Sequence, residues 1–390
     1  MGVIRGITNL FAMSNSTSRP SCAPTGEDKI RNVLVVCTVP TSKSGIPSVI
    51  FNLLSAIDRS GLRLHYVSIN EPGPDFTSRL ARLGIGYSVV PREMRHPLRY
   101  VNQLARLGRG FDAVHVHGNS ATMVLEMLAA RKAGIPLRIA HAHSTSCNMK
   151  SIDRCMRPLF HRLCNSRIAC SEASGEWLFG HRPFTLLKNA VDSRRFAFNA
   201  ERRGEMRRAL GVEHCKVIGH VGNFLPVKNH DFLLDVFSHI SRTDSGTRLL
   251  LVGDGELAAP IRSKIARLGL EGKVILTGSV DNPEDYLQAM DMAILPSLYE
   301  GFPLSIVEQQ VNGLPVLASD AVTPKVDLSG LVSFAPLDAG AEVWATKALD
   351  ILSTTPHTPQ SASRGLAGVS REGFDIVAVA ARLRQIYLHG

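Results

Sequence analysis

Two glutamates in one short segment have the residue type and the spacing to bind a sugar. An apolar run ends at Leu295, Glu300 follows it, and Glu308 lies beyond a Gly-Phe-Pro turn. The pattern predicts a strand, a loop and a helix, with Pro303 in the first helical turn and Glu308 just over one turn inside the helix. Ionised carboxylates only accept hydrogen bonds, and the paired hydroxyls of a ribose or a hexose can donate to them. Either glutamate alone is compatible with an ordinary surface charge, but the two together predict one crevice that binds hydroxyl groups.

A phosphate group could bind beside these glutamates. The backbone amides from Gly301 to Ser305 lie at the start of the predicted helix, where the helix dipole favours an anion. Upstream, Lys228 follows another predicted strand, and Gly222 before it lets the backbone approach a ligand closely. A mobile cation here would stabilise a nucleoside diphosphate that gains negative charge as it leaves. Taken alone, Lys228 is also compatible with an ordinary surface residue.

Two further predicted strands end in pairs of histidines. His115 and His117 form one pair, and His141 and His143 form the other. Side chains alternate along a strand, so both members of each pair lie on one face of the sheet. No carboxylate or cysteine stands at a metal-ligand spacing beside them, so we predict no metal and no other cofactor. Core packing or helix capping would also account for histidines at these positions.

Short β-branched runs alternate with longer segments of helical periodicity along the chain. This alternation predicts an α/β protein whose parallel sheets carry helices on both faces. The predicted strands are Val33–Cys37, Ala113–His117, Leu137–His141, Arg167–Cys170, Val217–Val221, Leu249–Val252, Val274–Leu276, Met292–Leu295 and Val316–Ala318. The clearest predicted helices are Pro47–Asp58, Ala121–Ala133, Asp231–Ile240 and Ala258–Leu268. Two such sets predict two doubly wound domains, whose ligand surfaces lie beyond the carboxyl ends of their strands and face each other across a cleft.

Composition divides the chain into four parts. Residues 1–29 are rich in Ser, Thr, Pro and Asn and are predicted to form a flexible tail. We place the first domain at 30–195 and the second at 196–370, because a highly charged, apolar-poor stretch begins near Ser193. Residues 371–390 carry apolar side chains at helical spacing and are predicted to form a closing helix that packs back toward the first domain.

The segment from Met292 to Ala318 resembles the E-x7-E signature of glycosyltransferase family 4, and the resemblance extends over nearly the whole chain from about Asn32. Members of this family are retaining enzymes with the GT-B fold, in which two Rossmann-like domains face each other across a cleft, and they generally work without a bound metal. The resemblance implies that Glu300 binds hydroxyls of the donor sugar and that Glu308 binds the ribose.

The same resemblance assigns the rest of the donor site. Lys228, preceded by Gly222, matches the phosphate-binding lysine of the family. Asn223 occupies a position at which the family often has arginine, so a neutral amide replaces a charge and more of the diphosphate's stabilisation rests on Lys228. Main-chain atoms of Val280 would lie beside uracil. One turn would hold its backbone against sugar and phosphate, namely Gly301, Phe302, Pro303 and Leu304.

The resemblance also assigns residues across the cleft. His143 matches a histidine that faces the donor sugar, and His117 matches one near the acceptor pocket. Gly45 occupies the place of the family's glycine-rich first loop, and Ser171 lies in a loop that is often near substrate. A turn glycine and a helix N-cap would explain these last two residues equally well.

The implied activity is transfer of a hexose or N-acetylhexosamine from a nucleotide sugar, with UDP as the expected nucleotide. The bacterial branch that assembles capsules and exopolysaccharides is the most similar, which implies a polyprenyl-linked saccharide acceptor. The diphosphate would leave from the front face while its oxygen takes the acceptor proton, so the protein would contribute orientation and charge. A sugar-nucleotide epimerase of the GT-B type and a non-catalytic scaffold are the alternatives.

Positive charge is concentrated in the first half of the chain. Between Thr77 and Lys188 there are 17 Lys and Arg against 6 Asp and Glu. This excess suits an anionic membrane surface or a phosphate-bearing substrate, and a merely solvated basic face is the alternative. Nucleic acid is not an expected partner, because no aromatic residues interleave with the basic ones. No apolar run is long enough to span a bilayer, so we expect a cytoplasmic protein bound peripherally to the inner face of the plasma membrane.

Overall fold

The computed structural model describes residues 30–41, 45–93 and 95–390. The predicted tail, residues 1–29, lies outside the described residues, as does Ser44 next to the predicted loop glycine. The described chain forms two parallel sheets with helices on both faces. The prediction of an α/β protein with two doubly wound sheets is therefore confirmed.

The first sheet has seven strands, and its neighbouring strands are parallel. In spatial order they are β3 (Gly86–Val89), β2 (Leu62–Ser68), β1 (Arg31–Cys37), β4 (Ala113–Gly118), β5 (Leu137–Ala142), β6 (Ser166–Ala169) and β7 (Thr185–Leu186). Its helices are α1 (Ile46–Ala56), α2 (Pro74–Arg82), α3 (Pro97–Leu107), α4 (Val124–Ala133), α5 (Lys150–Leu163) and α6 (Glu172–Phe179), with a 3-10 turn at Ala121–Met123. Each face of the sheet buries its own apolar cluster, as expected for strands covered on both sides.

The second sheet has six strands and the same winding. In spatial order they are β10 (Val274–Leu276), β9 (Thr247–Val252), β8 (Lys216–Val221), β11 (Met292–Leu295), β12 (Val316–Ser319) and β13 (Val332–Ala335). Its helices are α7 (Ser193–Phe196), α8 (Ala200–Leu210), α9 (His230–Thr243), α10 (Ala258–Arg267), α11 (Pro283–Ala289), α12 (Leu304–Asn312), α13 (Ala341–Thr354) and α14 (Pro359–Arg371). Three 3-10 turns lie at Pro226–Lys228, Pro324–Val326 and Leu337–Ala339.

All nine predicted strands are present, with ends shifted by at most two residues. The strands β2, β3, β7 and β13 were not predicted. Arg63 and His65 interrupt the apolar pattern of β2, because alternate side chains of this strand are less buried. β7 has two residues, and β3 is an edge strand that leaves Tyr87 exposed. Short edge strands carry too few apolar residues to give a sequence signal.

The order of strands reverses once in each sheet. In the first sheet this switch point lies between β1 and β4, and in the second it lies between β8 and β11. At a switch point the loops that follow the two strands diverge and leave a crevice. The loop after β8 carries Gly222 and Lys228, and the loop after β11 carries Glu300, so the fold places the predicted donor residues at one crevice.

Two chain segments cross where the domains meet. Val191 and Asp375 form a parallel bridge, and Ser193 Oγ donates to Asp375 Oδ1 at 2.8 Å. After this crossing, α15 (Ile376–His389) returns to the first domain and packs against α1 and β1. Leu304 packs against the apolar clusters of both domains. The amino end of α12 therefore lies at the boundary between the two halves.

Candidate functional site

Lys228 and Glu300 form an ion pair at the switch point of the second sheet. The Lys228 ammonium donates to Glu300 Oε1, and the two side chains are 17% and 18% exposed. Ser297 Oγ also donates to Glu300 Oε1 at 3.3 Å. The backbone N–H of Leu298 donates to the carbonyl of Val227 at 2.8 Å, which joins the two loops. Lys228 is therefore not the free, mobile cation that the sequence suggested, because Glu300 holds it in place.

The Gly-Asp-Gly turn after β9 packs against the loop that follows β8 and carries Gly222. Gly253 has φ of 146°, and a Cβ there would lie 2.0 Å from the carbonyl oxygen of Gly222. A Cβ on Gly255 would lie 2.7 Å from the Phe224 carbonyl oxygen. Both positions therefore require glycine, because the backbone of one loop passes directly over the other. The turn sets the shape of the Gly222 loop.

The amino end of α12 is open toward the crevice. A Cβ added to Gly301 would meet no atom within 4 Å, so a ligand can approach this turn. Pro303 is the N-cap of α12, with φ of −73° and ψ of 111°, and helix geometry starts at Leu304. The prediction of Pro303 in the first helical turn was therefore wrong by one residue, since its extended ψ keeps it outside the helix. The Phe302 ring stacks on Phe374, with centroids 4.8 Å apart.

Glu308 is half-buried on α12. Burial raises its pKa to about 7, Arg195 opposes that rise, and Glu284 adds to it. A carboxyl group with this pKa is close to half ionised at neutral pH. It can therefore gain full charge when a ligand supplies hydroxyl donors.

The remaining predicted donor residues lie in the segments that follow β8 and β10 of the second sheet. Val280 is half-buried against the apolar cluster of the second domain, just before α11. Asn223 is exposed, and its carbonyl accepts from the backbone N–H of Leu225 at 2.8 Å. The contacts of Val280 with a base and of Asn223 with a diphosphate stay predictions.

The four predicted histidines form a compact array between β4 and β5. The backbone register pairs His117 with His141 across these strands. His115 Nε2 and His141 Nδ1 lie 3.2 Å apart, and His117 Nδ1 and His143 Nε2 lie 2.9 Å apart. The two hydrogen-bonded pairs pack on each other, with ring centroids 4.0 Å apart for His115 and His117. The hydroxyl of Tyr387 on α15 lies 2.7 Å from His115 Nδ1 and ends the array on the side of the C-terminal helix.

Burial keeps these imidazoles neutral. It lowers the pKa of His115 to about 3 and that of His143 to about 3. Burial also holds the pKa values of His117 and His141 well below their usual range. His143 is the member with partial exposure, whereas His117 is 1% exposed and contacts His143 instead of solvent. A direct contact between His117 and an acceptor stays a prediction, and in this structure His117 Nδ1 is in contact with His143 Nε2.

Three of these histidines could also hold a metal ion. Ring nitrogens of His115, His117 and His141 lie within 4.8 Å of one another. Neutral imidazole is the form that binds transition metals. Both ring nitrogens of His115 are already in hydrogen bonds, one with Tyr387 and one with His141, so an ion bound to all three histidines would have to displace one of these bonds.

Gly45 and Ser171 lie in loops at the carboxyl edge of the first sheet. Gly45, after β1, has φ of 71°, which favours glycine, and it is the N-cap of α1. Ser171, after β6, forms a capping box with Ser174 at the start of α6. The predicted capping role of Ser171 is confirmed, and the substrate contacts of both residues stay predictions.

Two residues next to the site had no clear sequence signal. Arg195 lies in the charged stretch after Asp192, where it looked like one of many solvated charges. Its Nη2 donates to Glu284 Oε2 at 2.7 Å. Tyr387 fitted the apolar periodicity of the last helix, and its hydroxyl gave no separate indication of a role.

Family models match most of the chain. The model described as Glycosyltransferase Family 4 matches residues 43–195, and the model described as Glycosyl transferases group 1 matches residues 215–354. EpsF of Bacillus subtilis (strain 168), which is named as a glycosyltransferase, is 32% identical over 323 residues, covering 78% of this chain and 83% of that protein. The UDP-Gal:alpha-D-GlcNAc-diphosphoundecaprenol alpha-1,3-galactosyltransferase of Escherichia coli is 26% identical over 305 residues, covering 71% and 75%.

A solved structure has the same architecture. HepE of Anabaena in complex with UDP superposes with a TM-score of 0.73 at 19% identity, covering 91% of this chain and 98% of that one. At this identity the likeness shows the GT-B fold. The family models and the similarity to EpsF show both family and activity: this chain belongs to glycosyltransferase family 4 and is a glycosyltransferase.

Proposed function

We propose that this glycosyltransferase moves a hexose or N-acetylhexosamine from a UDP-sugar to a lipid-linked saccharide, with retention of anomeric configuration. The observation that carries the proposal is the contact of Lys228 with Glu300 beside the amino end of α12. A cation next to a carboxylate matches the two parts of a sugar diphosphate, its charge and its hydroxyls. The UDP bound to HepE and the lipid-linked acceptor in the name of the E. coli galactosyltransferase support the choice of substrates.

The donor would enter between the two members of the ion pair. Lys228 and the amides at the start of α12 would bind the diphosphate, and Glu300 would accept hydrogen bonds from the sugar. Glu308 would accept from the ribose hydroxyls, and main-chain atoms of Val280 would meet the base. Asn223 would add a neutral hydrogen bond at most.

The reaction would break the bond between the anomeric carbon and the phosphate oxygen. The electron pair of this bond would stay on UDP, and the acceptor oxygen would bond to the anomeric carbon from the same face. The acceptor proton would pass to the departing phosphate oxygen. Lys228 would stabilise the charge that develops on this oxygen. Because the departing phosphate oxygen takes the proton, the reaction would need no separate base.

The first domain would orient the neutral parts of the substrates. His143 would face the donor sugar as a neutral imidazole, and His117 would fix the ring of His143 through their 2.9 Å contact. Gly45 and Ser171 would border the acceptor. On this side of the cleft, the protein would then act mainly by positioning the substrates.

We also propose that transfer needs no bound metal or other cofactor. The cationic partner of the diphosphate would be Lys228, and each of the four histidines has one ring nitrogen in a hydrogen bond with another histidine. A chelator should therefore leave the rate unchanged. Loss of activity in EDTA, with recovery on adding Zn²⁺ or Mg²⁺, would contradict this part of the proposal.

The direct test is a transfer assay with purified full-length protein. A panel of UDP-hexoses and UDP-N-acetylhexosamines is incubated with an acceptor such as a diphosphoundecaprenol-linked N-acetylglucosamine, and the product anomer is determined by NMR. We expect one donor to be used, to give an α-linked product from the α-linked donor. A β-linked product would exclude retention. An epimerised UDP-sugar formed without acceptor would instead support the epimerase alternative.

We propose further that α5 rests on an anionic membrane surface. Among the described residues, no helix has the length and apolar character to cross a bilayer. The exposed side of α5 combines apolar side chains, Ile152 at 42% and Leu159 at 41% exposure, with basic ones. Lys150, Arg154 and Arg162 on this helix are exposed. An apolar and basic surface of this kind can insert shallowly among anionic headgroups.

Vesicle flotation tests the membrane surface. The protein should bind vesicles that contain anionic phospholipid at low salt and be released at high salt. The double variant Arg154→Glu, Arg162→Glu should lose this binding. A control variant, Arg262→Glu with Arg267→Glu, changes the charge equally on exposed positions of α10 and should keep it. Equal binding by the two variants would contradict the assignment of α5.

A further inference from the structure

Arg195 joins the segment between the domains to the loop that precedes α11. Its Nη2 donates to the carbonyl of Asp281 at 3.1 Å and to Glu284 Oε2 at 2.7 Å. Asp281 follows Val280 directly, and Glu284 lies in the first turn of α11. One guanidinium therefore fixes the loop whose main chain would meet the base of the donor.

Arg195 also acts on the carboxyl group of Glu308. Its helix α7 packs against α12, and its positive charge opposes the rise in the pKa of Glu308 that burial causes. Glu284 acts in the opposite direction. On the other side of α12, α14 approaches through Ala362 and Gly365, which carry no charge. Among the described residues, Arg195 and Glu284 are thus the charged groups that modify the pKa of Glu308, in addition to the larger effect of burial.

A neighbouring arginine shows what is specific to Arg195. Arg202 on α8 also pairs with α11, where its Nε donates to Asp285 Oδ1 at 2.8 Å. This second pair holds the same helix, but Arg202 is not among the groups that act on Glu308. A comparison of the two arginines therefore distinguishes the effect of holding α11 in place from the effect of a positive charge on Glu308.

We propose that Arg195 is a positioning residue for the nucleoside half of the donor. It holds the loop that would meet the base, and its positive charge favours the ionised form of the carboxylate that would accept the ribose hydroxyls. Arg195 needs no contact with the nucleotide for either effect. The inference rests on the proposed function, because it requires Glu308 at the ribose.

The test compares calorimetric affinities of the full chain for UDP and for 2′,3′-dideoxy-UDP between pH 6 and 9. The affinity for UDP divided by the affinity for 2′,3′-dideoxy-UDP reports the contribution of the ribose hydroxyls. The titration of the diphosphate cancels in this ratio because both ligands carry a diphosphate. In the wild type the ratio should rise with pH through about 7, as Glu308 becomes ionised. Because ionised carboxylates accept hydrogen bonds more strongly than neutral ones, the ratio follows the charge of Glu308.

Four variants give distinct expectations. Arg195→Gln should weaken UDP binding about ten-fold and move the midpoint of the ratio to higher pH, because an opposing positive charge is lost. Glu284→Gln breaks the same ion pair but removes a negative charge, so its midpoint should move to lower pH. Arg202→Gln, the matched control, should keep the wild-type midpoint. Arg195→Lys should also keep it while binding UDP less tightly, and Arg195→Met, which equally removes the charge, replaces Arg195→Gln if that variant does not fold.

Midpoints that move together in Arg195→Gln and Glu284→Gln, or that do not move, would overturn the role of Arg195. An equal shift in Arg202→Gln would overturn it as well, since support of α11 would then explain everything. These results leave the proposed donor intact, because the wild type still binds UDP. A wild type that binds no uridine nucleotide overturns the proposed donor itself and the inference with it.

Discussion

On the second-domain side of the cleft, Lys228 and Glu300 hold opposite charges in direct contact, whereas on the first-domain side four histidines lie neutral in a hydrogen-bonded array. The charged pair is partly exposed, and each member offsets the cost of burying the other. The histidines are more deeply buried, and burial keeps their pKa values low. One side is suited to a charged diphosphate, and the other to uncharged hydroxyls.

This difference indicates how the two domains would share the reaction. An anionic leaving group gains most from fixed charge, so the second domain should control its departure. A neutral array fixes geometry without attracting the diphosphate to the wrong side of the cleft. Changes on the charged side should therefore cost more activity than changes on the neutral side.

The largest effect is expected at Lys228. Lys228→Gln removes the cation for the diphosphate and should lower kcat by about 100- to 1,000-fold. The control Lys273→Gln alters another half-buried lysine of the same domain, which donates to the carbonyl of Ser241 at 3.0 Å, and should leave kcat near wild type. Steady-state transfer kinetics measure both. A loss of less than three-fold in Lys228→Gln would remove the basis of the comparison.

A smaller loss is expected at His143. His143→Gln keeps a neutral hydrogen-bonding side chain but changes its geometry, so kcat should fall about ten-fold. His65→Gln is the matched control, because His65 also lies in the first sheet and its Nε2 lies 2.8 Å from Ser88 Oγ. A loss at His143 as large as the loss at Lys228 would show that the neutral side also carries reaction chemistry.

The smallest expected effect is a change in the free energy of unfolding at mildly acidic pH. His115 has a pKa of about 3 when folded and about 6.5 when unfolded, so below pH 6.5 the unfolded chain binds a proton that the folded chain does not. Its contribution to stability is thus lost as pH falls from 6.5 toward 3. His115→Gln should reduce the slope of unfolding free energy against pH near pH 5 by about 1.4 kcal/mol per pH unit.

Urea unfolding at several pH values between 5 and 7 measures this slope. Tyr387→Phe is the control, because it removes the hydroxyl bonded to His115 but retains the titrating ring. This variant should be less stable at every pH with the slope unchanged. An unchanged slope in His115→Gln would show that the array does not stay neutral on folding.

The candidate residues of the second domain stand out in the sequence more clearly than those of the first domain, for a physical reason. Glu300, Glu308 and Lys228 lie in loops or at a helix start after strongly apolar strands, where a charge stands out. The contact of Lys228 with Glu300 was not predicted, since it depends on the adjacency of β8 and β11, which lie far apart in the chain.

The first-domain side depends even more on tertiary structure. Alternation placed His115 and His117 on one face, but their pairing with the next strand follows from the register of β4 and β5. The hydrogen bond between Tyr387 and His115 depends on the return of α15 to the first domain from the far end of the chain. Arg195 gave no signal, because a charge in a charged stretch is indistinguishable from a solvated one until its partners are known.

The most direct test of the account is a structure of the full-length protein with bound UDP. We predict that the diphosphate lies between the loop after β8 and the amino end of α12, with the Lys228 ammonium in contact with a phosphate oxygen. The ribose hydroxyls should donate to Glu308. UDP bound on the histidine side of the cleft, or a Lys228 that stays on Glu300 without touching phosphate, would contradict the account.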